Sequence, residues 1–179
     1  VRTITESLRG LEVAKAPDAP KELTTTNNHG GSNMKKVKAT SEDLLAAAKD
    51  LSRGDLEAFH SLQSGRNPLD TFPHYLDETT QAIKSGPCVL AVGGHARGAV
   101  WLVTTNMVEM LTKAERFRFY RILKGHLKTI RDDARYLTLT NVVSVENHPH
   151  IRLLESLGAT FHKDYVMSPA GFRFRQFWL

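Results

Sequence analysis

The stretch YLTLTNVVSVENHPHIRLLESLGATF, Tyr136 to Phe161, decides the fold. Tyr136 to Val143 is rich in the β-branched and aromatic residues of a strand. Pro149 then opens a short helix, because its fixed φ suits a first helical turn and its missing N–H costs nothing there. Ile151, Leu154 and Leu157 recur at three-residue steps and define one apolar face, and Gly158 is placed to end the helix. Strand character resumes at Thr160 and runs to Met167, and Phe172 to Trp178 pairs with it across the turn SPAG. Upstream, Phe119, Leu123, Leu127 and Ile130 follow steps of four, four and three, which predicts a helix from about Thr112 to Ile130 with its apolar face on a sheet. Before it, CVLAVGG (88–94) and GAVWLVTT (98–105) flank HAR and predict a buried hairpin. Further back, Lys35 to Ala39 forms a short strand. Thr40 or Ser41 caps a helix carrying Leu44, Leu45, Ala48 and Leu51. Asp55 to Leu62 is a second short helix, and Ser64 to Tyr75 a loop. The order of elements is that of an α/β or α+β sandwich.

The chain has 179 residues, enough for one ordinary domain with an appendage. Its 41% hydrophobic content excludes wholesale disorder. No run approaches the roughly 18 to 20 apolar residues of a bilayer span, and Val1 to Gly30 lacks the apolar centre of a signal peptide, which disfavours a membrane or secreted protein. One cysteine, Cys88, excludes an internal disulfide and is expected to be an inert buried thiol. Val1 to Asn33, with its Pro17 to Pro20 stretch and LTTTNNHGGSN run, reads as a flexible or partner-ordered arm. Residues 34–179 read as a single domain, and Met34 is a candidate second start. Charge is unevenly spread. From Lys113 to Arg135 eight basic residues stand against three acids, and from Glu42 to Glu78 eight acids stand against three bases. Such polarity favours oriented docking on a partner, a polyanion or an anionic cofactor.

Within the deciding stretch, Val143, Val145, Asn147, Ile151, Leu153, Glu155, Gly158 and Ala159 fall at the offsets of the second half of the GCN5-related N-acetyltransferase (GNAT) superfamily, which it resembles. That resemblance implies a central mixed sheet flanked by helices and splayed near its centre, with acetyl-CoA entering the opening. Over Lys35 to Leu179, the combination of CVLAVGG, AVWLVTT, KAERFRFYR and HPHIRLLESLGATFHKDY resembles the small internal virion proteins of T7-like podophages, which look like decayed relatives of that enzyme fold. This second resemblance implies phage virion or assembly proteins as partners, and a place in the virion or in the infected host cytoplasm during assembly.

The departures from the enzyme pattern set the preference. Acetyltransferases of the superfamily feed the long helix from a glycine-rich loop whose N–H groups receive the cofactor pyrophosphate. Here TTNMVEMLTKAER contains no glycine, leaving Val103, Thr104, Thr105 and Asn106, with Asn147, as candidate cofactor contacts. Asn147 has an equal alternative, tying the strand end to the start of the Pro149 helix. The family's short-helix tyrosine, which protonates the departing thiolate, corresponds to Leu154, which has no proton to give. Tyr165 remains as a catalytic candidate, against a role anchoring a sheet edge. Glu109, Glu146 and His148 are acid or base types without a visible orienting partner. His148, His150 and His162 lack the spacing of a zinc site. Gly93 and Gly94 form no nucleotide fingerprint and are expected in a turn or bulge. The expectation is therefore a noncatalytic internal virion or virion-assembly protein, without cofactor or metal; the alternative is an acetyl-CoA-dependent N-acetyltransferase. Arg116, Arg121 and Lys128 are the expected protein-docking residues, with self-association possible and DNA contact secondary, since no nucleic-acid motif accompanies the basic helix.

Overall fold

Among the described residues, seven strands form one mixed sheet in the order β1-β2-β3-β4-β5-β7-β6, with helices on both faces. In chain order the elements are β1 (Met34–Lys38), α1 (Ser41–Lys49), α2 (Arg53–Leu62), α3 (Pro68–Thr71), β2 (Gln81–Ser85), β3 (Cys88–Ala96), β4 (Ala99–Thr104), α4 (Lys113–Asp132), β5 (Thr140–Ser144), α5 (His148–Ser156), β6 (Thr160–Met167) and β7 (Arg173–Trp178). This computed structural model describes residues 33–133 and 138–179. The arm expected over residues 1–33, Asn33 apart, and the beginning of the strand expected at Tyr136 lie outside them.

Helix α4 forms as its periodicity dictates. Phe119, Leu123, Leu127 and Ile130 are buried against Ile83, Leu90 and Ala91 of the sheet, while Arg121 and Lys128 face solvent. Thr112 caps it in a reciprocal box with Glu115. The opposite face is covered by α1, whose Leu44 and Ala47 pack with Phe72, Val89 and Val92. Full burial of each such aliphatic or aromatic side chain contributes about 1.5 to 3 kcal/mol. A β-bulge explains how one run, Val89 to Val92, serves both cores. The register of β2 on β3 shifts so that Lys84 pairs with Val89 but Ile83 with Ala91. Val89 and Val92 therefore face α1 while Leu90 and Ala91 face α4.

Several expectations are corrected. Ser64–Tyr75 is not simply a loop: Asn67 caps α3, with Pro68 at its start, and Phe72–Tyr75 adds a 3-10 turn that buries Phe72. Strand β2 had no counterpart in the sequence reading. His95 and Ala96 belong to β3, and the hairpin turns instead at Arg97 and Gly98, both with positive φ (50° and 82°). Gly93 and Gly94 sit inside β3, where a Cβ on Gly93 would come within 2.5 Å of the Trp101 carbonyl oxygen, so close backbone approach requires glycine. The strand expected over Tyr136 to Val143 runs Thr140–Ser144, and Cys88 is half-buried rather than buried. Two of the eight acids between Glu42 and Glu78, Asp43 and Asp55, are internal, which weakens the acidic surface anticipated there. Asp43 pairs with Lys84 at 2.6 Å.

Candidate functional site at the opening between β4 and β5

The parallel strands β4 and β5 meet at one end only. Ala99 registers with Thr140, the Thr140 N–H donates to the Gly98 carbonyl at 2.9 Å, and the Asn141 side-chain amide donates to the Val100 carbonyl at 2.7 Å. Beyond that point the strands diverge, leaving backbone groups of β4 facing an opening. Unpaired and buried, each would incur a desolvation penalty of about 1 to 3 kcal/mol.

At Thr104 and the two residues after it, the chain supplies the partners from within. Ser52 N–H donates to the Thr104 carbonyl at 2.8 Å, Asn106 N–H donates to the Asp50 carbonyl at 2.9 Å, and Leu51 bridges Thr105 as a one-residue antiparallel strand. Asp55, in the first turn of α2 and 5% exposed, completes the seal. Its Oδ2 accepts from Thr104 N–H and from Thr104 Oγ1, both at 2.7 Å. Its Oδ1 accepts from Asn147 Nδ2 at 2.9 Å and lies 3.1 Å from His150 Nδ1. Burial pushes the Asp55 carboxyl up, but His150 and the Thr104 donors outweigh it and hold the group at about 2. One carboxylate thus joins α2, β4 and α5 across the splay.

Asn147 is the pivot on the α5 side. It is the N-cap, its Oδ1 accepting from His150 N–H at 3.2 Å while its amide reaches Asp55. Gly54 makes room: a Cβ there would lie 2.7 Å from Asn147 Oδ1. Gly54→Ala, ordinarily favourable in a helix, is therefore expected to destabilise the protein by about 1 to 3 kcal/mol. Urea unfolding checks this; an unchanged or higher midpoint would show that Asn147 can move without cost.

The remaining sequence candidates are placed as follows. Val103 packs with the α1 core, Thr105 is buried with its hydroxyl on the Val89 carbonyl, and the exposed Asn106 donates its amide to Asp50. Tyr165 lies on the outer edge strand β6, 53% exposed, with the Arg173 guanidinium over its ring. Leu154 is buried against Val143 and Phe177, while Glu109, Glu146 and His148 are exposed. Arg116 donates to the Glu109 and Leu111 carbonyls, and Lys128 pairs with Asp132 at 2.7 Å; Arg121 is exposed. At the start of α4, Glu115 accepts from the N–H and hydroxyl of Thr112, which puts a carboxylate where the helix dipole favours an anion. Asp55 and His150 were not singled out as a pair. Ser52-x-x-Asp55 reads as an ordinary helix cap, which it also is, through Asp55 N–H to Ser52 Oγ.

A cavity of about 160 Å³ remains beside this seal, lined by Phe59, Trp101, Ser144 and Phe174 among others. A smaller one of about 60 Å³ lies under α4, where His126 Nδ1 accepts from the Lys36 ammonium at 3.1 Å. Burial, then the Lys36 and His95 charges, hold the His126 imidazole down at about 4. Both depressed groups give the same sign. The unfolded chain takes up a proton on His126 near its ordinary value while the fold resists it, so stability is lost as pH falls from about 6.5 to 4. The Asp55 contribution is complete above about 3.8 and disappears as pH falls toward 2. Denaturant midpoints measured against pH should decline through both windows, and His126→Gln should flatten the upper one. A midpoint constant between pH 7 and 4 would contradict the assignment.

The architecture is that of the GNAT acetyltransferases. A GNAT-family acetyltransferase from Bacillus anthracis superposes with a TM-score of 0.58 over 81% of this chain and 92% of that one, at 9% identity. The ribosomal-protein-S5-alanine acetyltransferase from Vibrio fischeri gives 0.56 over 84% and 93%, at 10% identity. Sequence narrows the placement. Residues 79–166 match the family described as bacteriophage T7, probable scaffold protein Gp13. The Escherichia phage T7 protein of that description is 32% identical over 96 residues, 54% of this chain and 67% of the T7 protein. The chain belongs to this T7 Gp13 family.

Proposed function

We propose that this protein is a phage scaffold or virion-assembly protein that uses the acetyltransferase fold as a docking body and carries out no acyl transfer. Its expected places are the virion and the host cytoplasm during assembly, and its expected partners are other phage proteins. The observation that carries the reading is the Asp55 seal: Thr104, one of the candidates for cofactor contact, gives its N–H and hydroxyl to the protein's own carboxylate. Membership of the Gp13 family and the Glu115 carboxylate at the α4 N-terminus support it. No cofactor is required by this role. Docking falls to the exposed basic side of α4, with Arg121 and Lys128 outward and Arg116 bracing the turn that precedes the helix. DNA contact is secondary, because no nucleic-acid-binding motif accompanies the basic helix and its cations by themselves supply salt-sensitive phosphate attraction.

Quantitative mass spectrometry of virions and assembly intermediates, made with and without this gene, tests the role. The chain is expected in at least one of these species, and its loss is expected to alter their protein composition. Absence from every species, with unaltered assembly, would overturn the proposal. The joint variant R116E/R121E/K128E separates the partner classes: reduced retention in particles is expected, whereas normal incorporation with abolished duplex-DNA binding would make DNA the ligand of α4.

A further inference from the structure

We infer that copies of this protein associate head to tail, the basic outer face of α4 in one copy seated on the acidic, leucine-bearing α2–α3 face of the next. The inference rests on the reading of α4 as a docking surface and names its occupant.

The two surfaces lie on opposite sides of the sheet, since α4 packs on Leu90 and Ala91 while α1 and its neighbours pack on Val89 and Val92. On the first, Lys113, Arg121, Lys124 and Lys128 are exposed along α4, with Phe117 at 62% exposure one turn from both Lys113 and Arg121. On the second, three exposed leucines are each followed within two residues by an exposed acid: Leu56 by Glu57, Leu69 by Asp70, Leu76 by Glu78. Each face therefore pairs apolar area, which sustains association, with charges that orient the encounter. The pairs that occupy Lys128 with Asp132 and Glu57 with Arg53 are solvent-exposed, hence weak and exchangeable.

Gly125 supplies an independent pointer. It lies in the middle of the 20-residue α4 on the solvent side, between Arg121 one turn before and Lys128 one turn after. A Cβ at Gly125 would meet nothing within 4 Å, so no internal contact calls for the least favourable helix residue after proline. A closely approaching partner backbone would. Two different faces on opposite sides make a heterologous contact that can propagate from copy to copy.

The test uses the full-length chain in sedimentation velocity at about 50 mM salt, where exposed charges are least screened. Concentration-dependent association is expected, weakened at least about tenfold by R121E/K124E and separately by E57K/D70K. Gly125→Trp, whose Cβ enters open space, is expected to block association without lowering the thermal midpoint. Mixing R121E/K124E with E57K/D70K should restore association in alternating copies, because the two unaltered faces and the two reversed faces each meet opposite charge. A chain that stays monomeric up to about 1 mM, or association indifferent to both reversals, would overturn the inference. Loss of particle retention in α4 variants of such a monomeric chain would leave the assembly role standing with a different partner for α4.

Discussion

Asp55→Ala is expected to lose about 3 to 5 kcal/mol of folding stability, the cost of removing one partner from a buried, charged hydrogen-bond network. The size follows from what is left behind. Thr104 N–H, Thr104 Oγ1 and Asn147 Nδ2 would lose their acceptor in a site that is 5% exposed, and His150 would lose its carboxylate partner. Asp55→Asn should also destabilise, because it presents an amide to a ring of donors. Acetate supplied to Asp55→Gly should restore part of the loss by entering the vacated place. Urea titrations of the three variants check the assignment. A loss under about 1 kcal/mol for Asp55→Ala would mean that the network is solvated and does not seal the opening.

The second large effect concerns the helix that carries the docking surface. Leu127→Ala should cost about 2 to 5 kcal/mol, since Leu127 is 7% exposed within the cluster of Phe119, Leu123 and Ile130 and rigid neighbours would leave a cavity. Its neighbour Lys128 is 70% exposed at the side chain, and Lys128→Ala should stay within about 0.5 kcal/mol of the parent. Equal midpoints for the two variants would contradict the face assigned to α4.

Long-period elements were the most legible in the sequence. Helix α4 repeats its apolar step over several turns and carries its capping box in Thr112 and Glu115, so its face and its start both follow from spacing. The N-cap role of Asn147 was one of two readings before Pro149 and is the one its hydrogen bond to His150 N–H displays. Strand β2 was not legible because QAIKS is five residues long and half polar; it is a strand because both neighbours pair with it. The continuous apolar run of β3 concealed a bulge, since a residue that fits either core carries no sign of which one it faces. Helix α3 carried a signal, Asn67 followed by Pro68, in a piece too short to show a period.

The site itself was half visible. Thr104 and Asn147 came from the family pattern, but Asp55 and His150 stand 95 positions apart and nothing local marks them as partners. Each has a sufficient local explanation, as a first-turn helix residue, and only the divergence of β4 from β5 brings them together. The same divergence gives the superfamily resemblance its meaning. In this chain the edge that it opens is paired by residues 50–52 and closed by Asp55.

Titration calorimetry with acetyl-CoA on the full-length protein tests that claim most directly. With the Thr104 donors already committed to Asp55, no saturable heat is predicted up to about millimolar ligand. Saturable binding in the micromolar range, weakened by T104A/N147A, would contradict the account and restore the acetyltransferase reading.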